Sequence, residues 1–152
     1  MYRYLFEEPC FNSSFDSKKP LDSEIQNKAR DILAQNLSIK YEDIRLVYYK
    51  TSEGVVEMEF EGLITVDQNF EFKALLTMST FNNKTIVSLA TQLSRLDPVY
   101  LRDMNSSEGI VRNIFKEFAK NSFYQDIFSD YKRKYEEVSR KIYDGLETLF
   151  GF

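Results

Sequence analysis

Three glutamates on one predicted strand are the densest group of side chains with chemical potential in this sequence. Glu57, Glu59 and Glu61 alternate with the apolar residues Met58 and Phe60. Strand side chains point to opposite faces with a period of two, so the three carboxylates share one face at a spacing of about 7 Å. Such a row could bind a hard cation, imitate a row of phosphates or dock on a basic protein surface. A solvated outer face of an ordinary sheet shows the same alternation and is the simpler interpretation.

The glutamate row does not by itself specify catalysis. A Mg²⁺ or Ca²⁺ site needs several oxygens that converge from different elements, and the sequence has no EF-hand-like spacing. A general acid and its base need two environments that separate their pKa values, which a sequence does not reveal. We predict no cofactor and no metal ligand. A carboxylate-dependent enzyme, with or without Mg²⁺, is the alternative to a non-catalytic role.

A second group places three cations between two tyrosines, in the run Tyr131-Lys132-Arg133-Lys134-Tyr135. Basic residues interleaved with aromatic rings can hold single-stranded nucleic acid by charge and stacking. On a helix, however, the two tyrosines project to one side and the cations to others, which favours a packed tyrosine pair beneath a solvated basic turn. The net charge of −4 also disfavours binding to phosphate backbones. The same negative charge favours a protein partner with a basic surface, and we predict that the three glutamates and the two tyrosines contact it.

The residue types that are missing exclude several classes of site. The sequence has no histidine, which excludes His-dependent triads, proton shuttles and metal sites. The single Cys10 excludes an internal disulfide framework and fits a reducing cytoplasm. The five glycines lack the spacing of a phosphate-binding loop. No segment reaches the roughly 20 apolar residues needed to span a bilayer, so we predict a cytoplasmic protein with no membrane contact.

The glutamates lie in a predicted β-hairpin that runs from Val55 to Thr80. Its apolar residues alternate with polar ones on both sides of the turn Asp67-Gln68-Asn69. A slip of one residue would set glutamates opposite apolar side chains, so the pattern selects one register. The predicted pairs are Val66 with Phe70, Ile64 with Phe72, Phe60 with Leu76 and Met58 with Met78.

Further strands are predicted on both sides of this hairpin. Residues 44–50 form a strand joined through a turn at 51–54, with Arg45 opposite Glu59. In that register Ile44, Leu46 and Tyr48 face Phe60, Met58 and Val56. After an Asn82-Asn83 turn, residues 84–93 form either a strand, with Val87 opposite Met78 and Leu89 opposite Leu76, or a helix. Their Thr and Val content favours the strand. Residues 2–6 form a short strand that ends at Pro9.

Helices are predicted before and after the strands. The first begins at Asp22 or Ser23 as N-cap. Beyond residue 105 a helix carries one apolar stripe from Ile110 to Phe118, and Asn121-Ser122 breaks or bends it before a long final helix. The final helix has a heptad-like seam, which predicts a homodimer with Tyr135 and Ile142 near its centre. The seam residues are Phe128, Tyr131, Tyr135, Val138, Ile142, Gly145 and Leu149.

These elements predict a single α+β domain over residues 1–152, with a three- to four-stranded antiparallel meander sheet, one N-terminal helix and two C-terminal helices. In element order and negative charge the chain resembles phage-encoded anti-CRISPR inhibitors in outline. It also resembles acidic sheet-and-helix chaperones of the SecB type. The first resemblance implies a small inhibitor and the second a chaperone; neither includes a shared motif. We therefore expect a non-catalytic interaction protein, an acidic inhibitor or adaptor that docks on a basic surface of its partner.

Overall fold

A computed structural model describes residues 4–67, 69–96 and 107–151 of this protein, and the side chains of residues 9–67, 69–95 and 126–151. The elements within these ranges are β1 (Tyr4–Ser17), α1 (Ser23–Leu37), β2 (Arg45–Ser52), β3 (Val55–Asp67), β4 (Phe70–Phe81), β5 (Lys84–Leu96) and α2 (Ser107–Leu149). A 3₁₀ turn at Tyr41–Asp43 precedes β2. The strands form one antiparallel five-stranded sheet in the order β1-β5-β4-β3-β2.

The α+β class and the antiparallel sheet are confirmed, whereas the predicted numbers of strands and helices are wrong. The described part of the chain has five strands instead of three or four, and one C-terminal helix instead of two. The element order that resembled anti-CRISPR inhibitors is therefore not the order of this fold.

Three of the four predicted pairs between β3 and β4 are confirmed. Met58 lies opposite Met78, Phe60 opposite Leu76, and Ile64 opposite Phe72. The strand interpretation of residues 84–93 is also correct, with Val87 opposite Met78 and Leu89 opposite Leu76. Asn82 and Asn83 both have positive φ, as a tight two-residue hairpin turn requires.

The fourth pair is wrong because the ladder has an irregularity near the turn. Asp67, not Val66, lies opposite Phe70, and the register shifts between Thr65 and Asp67. The Asp67 side chain accepts a hydrogen bond from the backbone N–H of Asn69 at 2.7 Å. An aspartate side chain that accepts a hydrogen bond from the backbone two residues later stabilises a local turn. The alternation of apolar residues does not reveal such a turn.

The predicted register of β2 is also wrong. Leu46 lies opposite Phe60, and Arg45 lies opposite Glu61 instead of Glu59. The turn contains only Glu53 and Gly54, with φ of 30° and 82°. A two-residue turn of this kind matches the twist of the flanking strands. Thr51 and Ser52 therefore belong to β2 instead of the turn, and every predicted pair between β2 and β3 changes.

The first strand is much longer than predicted. Instead of ending at Pro9, β1 continues to Ser17 and pairs with β5 over most of its length. The register shifts between Pro9 and Phe11, where the ladder is interrupted. Proline lacks a backbone N–H and is tolerated in an edge strand at such an irregularity, so it did not end β1 here.

The predicted break at Asn121-Ser122 is wrong as well, because α2 is continuous over 43 residues. Asparagine and serine each destabilise a helix interior by only a few tenths of a kcal/mol relative to alanine, far less than proline does. The predicted stripe from Ile110 to Phe118 lies outside the residues whose side chains are described. Neither helix in the described part of the chain contains a stretch apolar enough to cross a membrane.

Both helices contribute apolar side chains to the core that covers one face of the sheet. The N-cap of α1 is Asp22, one of the two predicted residues, and its carboxylate accepts a hydrogen bond from the N–H of Ile25 at 2.8 Å. A Cβ atom on Gly62 would collide with Leu37, so this glycine allows close approach of the end of α1 rather than a bulge. The fully buried large side chains include Leu33, Ile44, Met58, Phe70, Phe72, Leu76, Met78, Leu89, Leu93, Ile142 and Leu146.

We expect Phe60→Ala to destabilise the protein by about 3–5 kcal/mol, because the ring is only 5% exposed and its removal leaves a cavity. The melting temperature should fall by about 6–20 °C in a calorimetric scan. Phe81→Ala is the matched control: this ring is 59% exposed, and its loss should change the unfolding free energy by no more than about 0.5 kcal/mol. Equal melting temperatures for the two variants would contradict the burial of Phe60.

Candidate functional site

The three glutamates lie on the face of β3 opposite to the buried side chains of Met58 and Phe60, as predicted. All three are half-buried. The neighbouring strand β2 places Lys50 opposite Glu57, Tyr48 opposite Glu59 and Arg45 opposite Glu61. The row is therefore flanked by two cations and a tyrosine.

Glu59 differs from its two neighbours in its surroundings. Arg45 Nη1 lies 3.6 Å from Glu61 Oε1, and because the Arg45 side chain is exposed to water, the pair contributes about 0.2–1 kcal/mol. The Tyr48 hydroxyl donates to Glu57 Oε2 at 3.3 Å. Directly across the sheet, Glu59 faces Tyr48 on one side and Thr77 on the other. Its carboxylate thus keeps the least compensated charge of the row.

An exposed apolar run lies beside the glutamates, on edge strand β2. Leu46, Val47, Tyr48 and Tyr49 are between 39% and 53% exposed. Tyr48 shares the sheet face of Glu59, whereas Leu46 and Tyr49 lie opposite residues of the core face. No strand among residues 4–67, 69–96 and 107–151 pairs with the outer edge of β2.

Sequence reasoning missed this surface because it assigned Leu46 and Tyr48 to the core. The sequence did contain a signal for this surface, which is the run of four large apolar residues at 46–49. Four consecutive side chains cannot all point to one face of a strand, so two of them had to face away from the core.

Tyr131, the first of the two predicted binding tyrosines, is tied to the sheet. Its hydroxyl donates to Asp67 Oδ2 at 2.8 Å, and its ring packs edge-on against Phe70 with centroids 5.2 Å apart. The register shift after Thr65 sets Asp67 opposite Phe70, which brings the carboxylate to the helix side. The hydrogen bond to Asp67 raises the pKa of Tyr131 above its ordinary value of 10.0, and desolvation acts in the same direction.

Tyr135, the second predicted binding tyrosine, belongs to the core. It is 6% exposed and stacks on Phe72 with ring centroids 4.3 Å apart. Burial raises its pKa above the ordinary value. Because both tyrosines pack against the core face and the glutamates lie on the other, the structure does not bring the five predicted residues together.

The heptad-like seam of α2 also packs within its own chain. Ile142 is fully buried, and Phe128, Val138 and Leu149 are partly buried against the core. These contacts explain the seam without a second subunit. The homodimer stays a prediction, which sedimentation at micromolar concentration would test.

Metal-ligating side chains do not cluster in the described part of the chain. It includes no group of three or more His, Cys, Asp or Glu side chains that could hold a metal ion. Cys10 is a free, buried thiol.

No protein-family model matches the chain, and no curated protein matches it. Among solved structures it is similar to a DUF4468 family protein from Bacteroides ovatus, with 12% identity and a TM-score of 0.43 over 93% of this chain and 85% of that chain. It is also similar to Ara h 8.0201, with 8% identity and a TM-score of 0.36 over 94% of this chain and 99% of that chain. At these TM-scores the similarities support no conclusion about function.

We expect Tyr131 to keep its proton above pH 10. The pKa of Tyr131 is higher in the folded protein than in the unfolded chain. The stabilisation that Tyr131 contributes is therefore complete at a pH below its pKa in the unfolded chain, and it is lost as the pH rises through its pKa in the folded protein. The phenolate absorbance of the wild type and of Tyr131→Phe would be measured as the pH is raised. The difference between the two titration curves should describe a single group with a midpoint above pH 10.

Asp67→Asn provides the control for this titration. It removes the negative charge and keeps an acceptor oxygen, so the midpoint of Tyr131 should move down towards the ordinary value. A midpoint that does not change in Asp67→Asn would show that the carboxylate is not the cause.

Proposed function

We propose that this protein is a non-catalytic interaction protein, a small inhibitor or adaptor, and that it binds a protein partner through its β2–β3 hairpin. The observation that carries the proposal is the run of four exposed apolar side chains, Leu46 to Tyr49, on an edge strand beside Glu59. We call this run together with Glu59 the hairpin surface. Exposed apolar side chains that lie together are typical of interaction sites, whereas scattered ones are not.

The backbone of β2 supports binding by strand addition. An edge strand presents unpaired N–H and C=O groups that an extended segment of a partner can pair with. The opposite edge of the sheet is protected, because β1 contains Pro9 and two shifts of register. β2 has a single shift, between Leu46 and Tyr48, and no proline.

The side chains of the hairpin surface indicate what such a partner contains. Tyr48 and Tyr49 offer large rings with few rotatable bonds, which contribute strongly to binding when a partner buries them. Leu46 and Tyr49 lie on one side of the edge and Tyr48 on the other. A strand placed along this edge would contact apolar surface on both sides. Glu59 lies one strand further in, behind Tyr48, so it would attract a cation of the partner across about 10 Å rather than touch it.

A cytoplasmic location belongs to the same proposal. It is supported by Cys10, which is buried and free of a disulfide. A thiol of this kind fits a reducing compartment.

We expect Tyr49→Ala to weaken partner binding and to leave the fold intact, because the ring is 53% exposed. Truncation of a central aromatic contact typically costs about 2 kcal/mol, or about thirtyfold in affinity. The partner would first be identified by affinity purification and mass spectrometry, and its affinity for each variant then measured by surface plasmon resonance. Equal affinity of the wild type and a folded Tyr49→Ala variant would contradict the proposed surface.

We expect Glu59→Lys to slow association, because a charge at an interface mainly affects the encounter of the two proteins. Glu137→Lys, on an exposed position of α2, makes the same change of charge away from the hairpin surface. Association rates at two salt concentrations separate the variants: the defect of Glu59→Lys should shrink as salt screens the charge, and the control should follow the wild type. Identical association rates for Glu59→Lys and Glu137→Lys would show that Glu59 does not belong to the binding surface.

A further inference from the structure

Arg30 on α1 is a cation that the described part of the chain leaves without a counter-charge. Its guanidinium packs between two rings, with Cζ 4.5 Å from the ring centroid of Tyr41 and 5.4 Å from that of Phe60. The side chain is half-buried. No carboxylate among the described residues forms an ion pair with it. Its positive charge is therefore compensated only by the faces of the two rings and by a backbone carbonyl.

The three nitrogens of this guanidinium differ in what they leave for a ligand. Nη2 donates to the carbonyl of Ile44, the residue before β2. Nε is buried and has no hydrogen-bond partner among the described residues. Nη1 has no partner there either, but it is accessible to solvent. Arg30 therefore keeps one accessible donor group that a ligand can reach.

This donor group lies beside the uncovered edge of the sheet. Phe60, whose ring lies against the guanidinium, is opposite Leu46 on β2. Paired side chains on one sheet face are about 5 Å apart, so Arg30 adjoins Leu46 on the helix side of the edge. Leu46 and Tyr49 are both exposed on that side. A strand added to β2 would lay its helix-side residues along Tyr49 and then Leu46 and would end beside Arg30.

The charges of β2 itself indicate what such a strand carries. Its eight residues include two cations, Arg45 and Lys50, and no carboxylate. A second copy of β2 along this edge would bring two more cations to it, which disfavours pairing between copies of this chain. A carboxylate on the added strand would instead meet Arg30, and a hydrogen bond between arginine and a carboxylate is about twice as strong as one between neutral groups.

We propose that the segment that pairs with β2 comes from another protein and carries a carboxylate beside Arg30, with apolar side chains along Tyr49. This inference rests on the proposed function and adds the chemistry of the partner segment. It is compatible with the attraction of Glu59 for a cation, because Glu59 lies on the other face of the sheet. Neighbouring residues of a strand point to opposite faces, so one added strand can carry a carboxylate on its helix side and a cation on the other.

The probes that test this inference are two hexapeptides, acetyl-Thr-Val-Thr-Val-Thr-Glu-amide and the same residues in reverse order. In an extended peptide the valines and the glutamate share one face, as the proposed segment requires. Both orders are used because a strand can be added in either direction. Each peptide is titrated into isotope-labelled protein, and the backbone amide shifts of residues 45–52 are followed by NMR. One of the two orders should give saturable shifts there.

The charge of the peptide provides the first comparison. Replacement of its glutamate by glutamine should weaken binding by about fivefold, because a charged acceptor binds a guanidinium more strongly than a neutral one does. Replacement by lysine should weaken binding further, since two cations then meet. This comparison uses the wild-type protein, so it does not depend on whether a substitution affects the fold.

Two protein variants assign the charge contact. Arg30→Met keeps a long side chain between the two rings and removes the charge, so the glutamate and glutamine peptides should bind it equally well. Arg45→Met is the matched control, because it removes a cation at the same end of β2 but on the other sheet face, opposite Glu61. There the preference for glutamate should remain about fivefold. Unperturbed amide spectra away from each substitution show that both variants are folded.

Each alternative outcome overturns the inference. Equal affinity of the wild type for the glutamate and glutamine peptides, or an equal loss of preference in Arg30→Met and Arg45→Met, overturns the role of Arg30. No saturable shift in residues 45–52 with any peptide overturns strand addition by such a segment. Shifts of residues 45–52 that grow with protein concentration alone would show that a second copy occupies the edge. The proposed function fails separately, if a folded Tyr49→Ala variant binds the purified partner as tightly as the wild type does.

Discussion

The burial of one face of the β3–β4 hairpin is the constraint on which the rest of this structure depends. Met58, Phe72, Leu76 and Met78 are almost completely inaccessible to solvent. Because strand side chains alternate, burial of this face forces the polar residues between them to the other face. The helices then have to cover the apolar face, and the glutamates have to remain on the uncovered one.

Irregular points in the hairpins decide how the other elements attach to this frame. The shift after Thr65 sets Asp67 on the helix side, where it accepts the hydroxyl of Tyr131 and joins α2 to the sheet. The two-residue turn at Glu53-Gly54 sets the register of β2. That register puts Arg45 beside Glu61. In both places a local backbone preference near a turn has consequences for side chains several residues away.

The proposed hairpin surface follows from how the sheet ends at its β2 edge. There the order of strands leaves backbone groups and a run of apolar side chains without a neighbour in the described part of the chain. At the end of β1, by contrast, the chain is tied to the C-terminal end of α2, where the Lys19 ammonium donates to the carbonyl of Leu149. The β2 edge fits an extended protein segment, because its free backbone groups can pair with one.

The sequence by itself determined the parts of the fold that depend on periodicity and local chemistry. The central pairs Met58–Met78 and Phe60–Leu76 and the Asn82-Asn83 turn were predicted, and the N-cap of α1 was narrowed to Asp22 or Ser23, because alternation and capping act over a few residues.

Only the tertiary structure decided which exposed residues lie together. The sequence indicates that a strand ends at Pro9, but an edge position and an irregular ladder make the proline tolerable. It also allows Tyr135 to contact a partner, but in the structure its ring stacks on Phe72. The exposure of Tyr49 follows from β2 being an edge strand, and the hydrogen bond from Thr85 to the carbonyl of Lys19 joins chain segments 66 residues apart. Proximity of this kind is set by packing between distant segments, and no local pattern in the sequence encodes it.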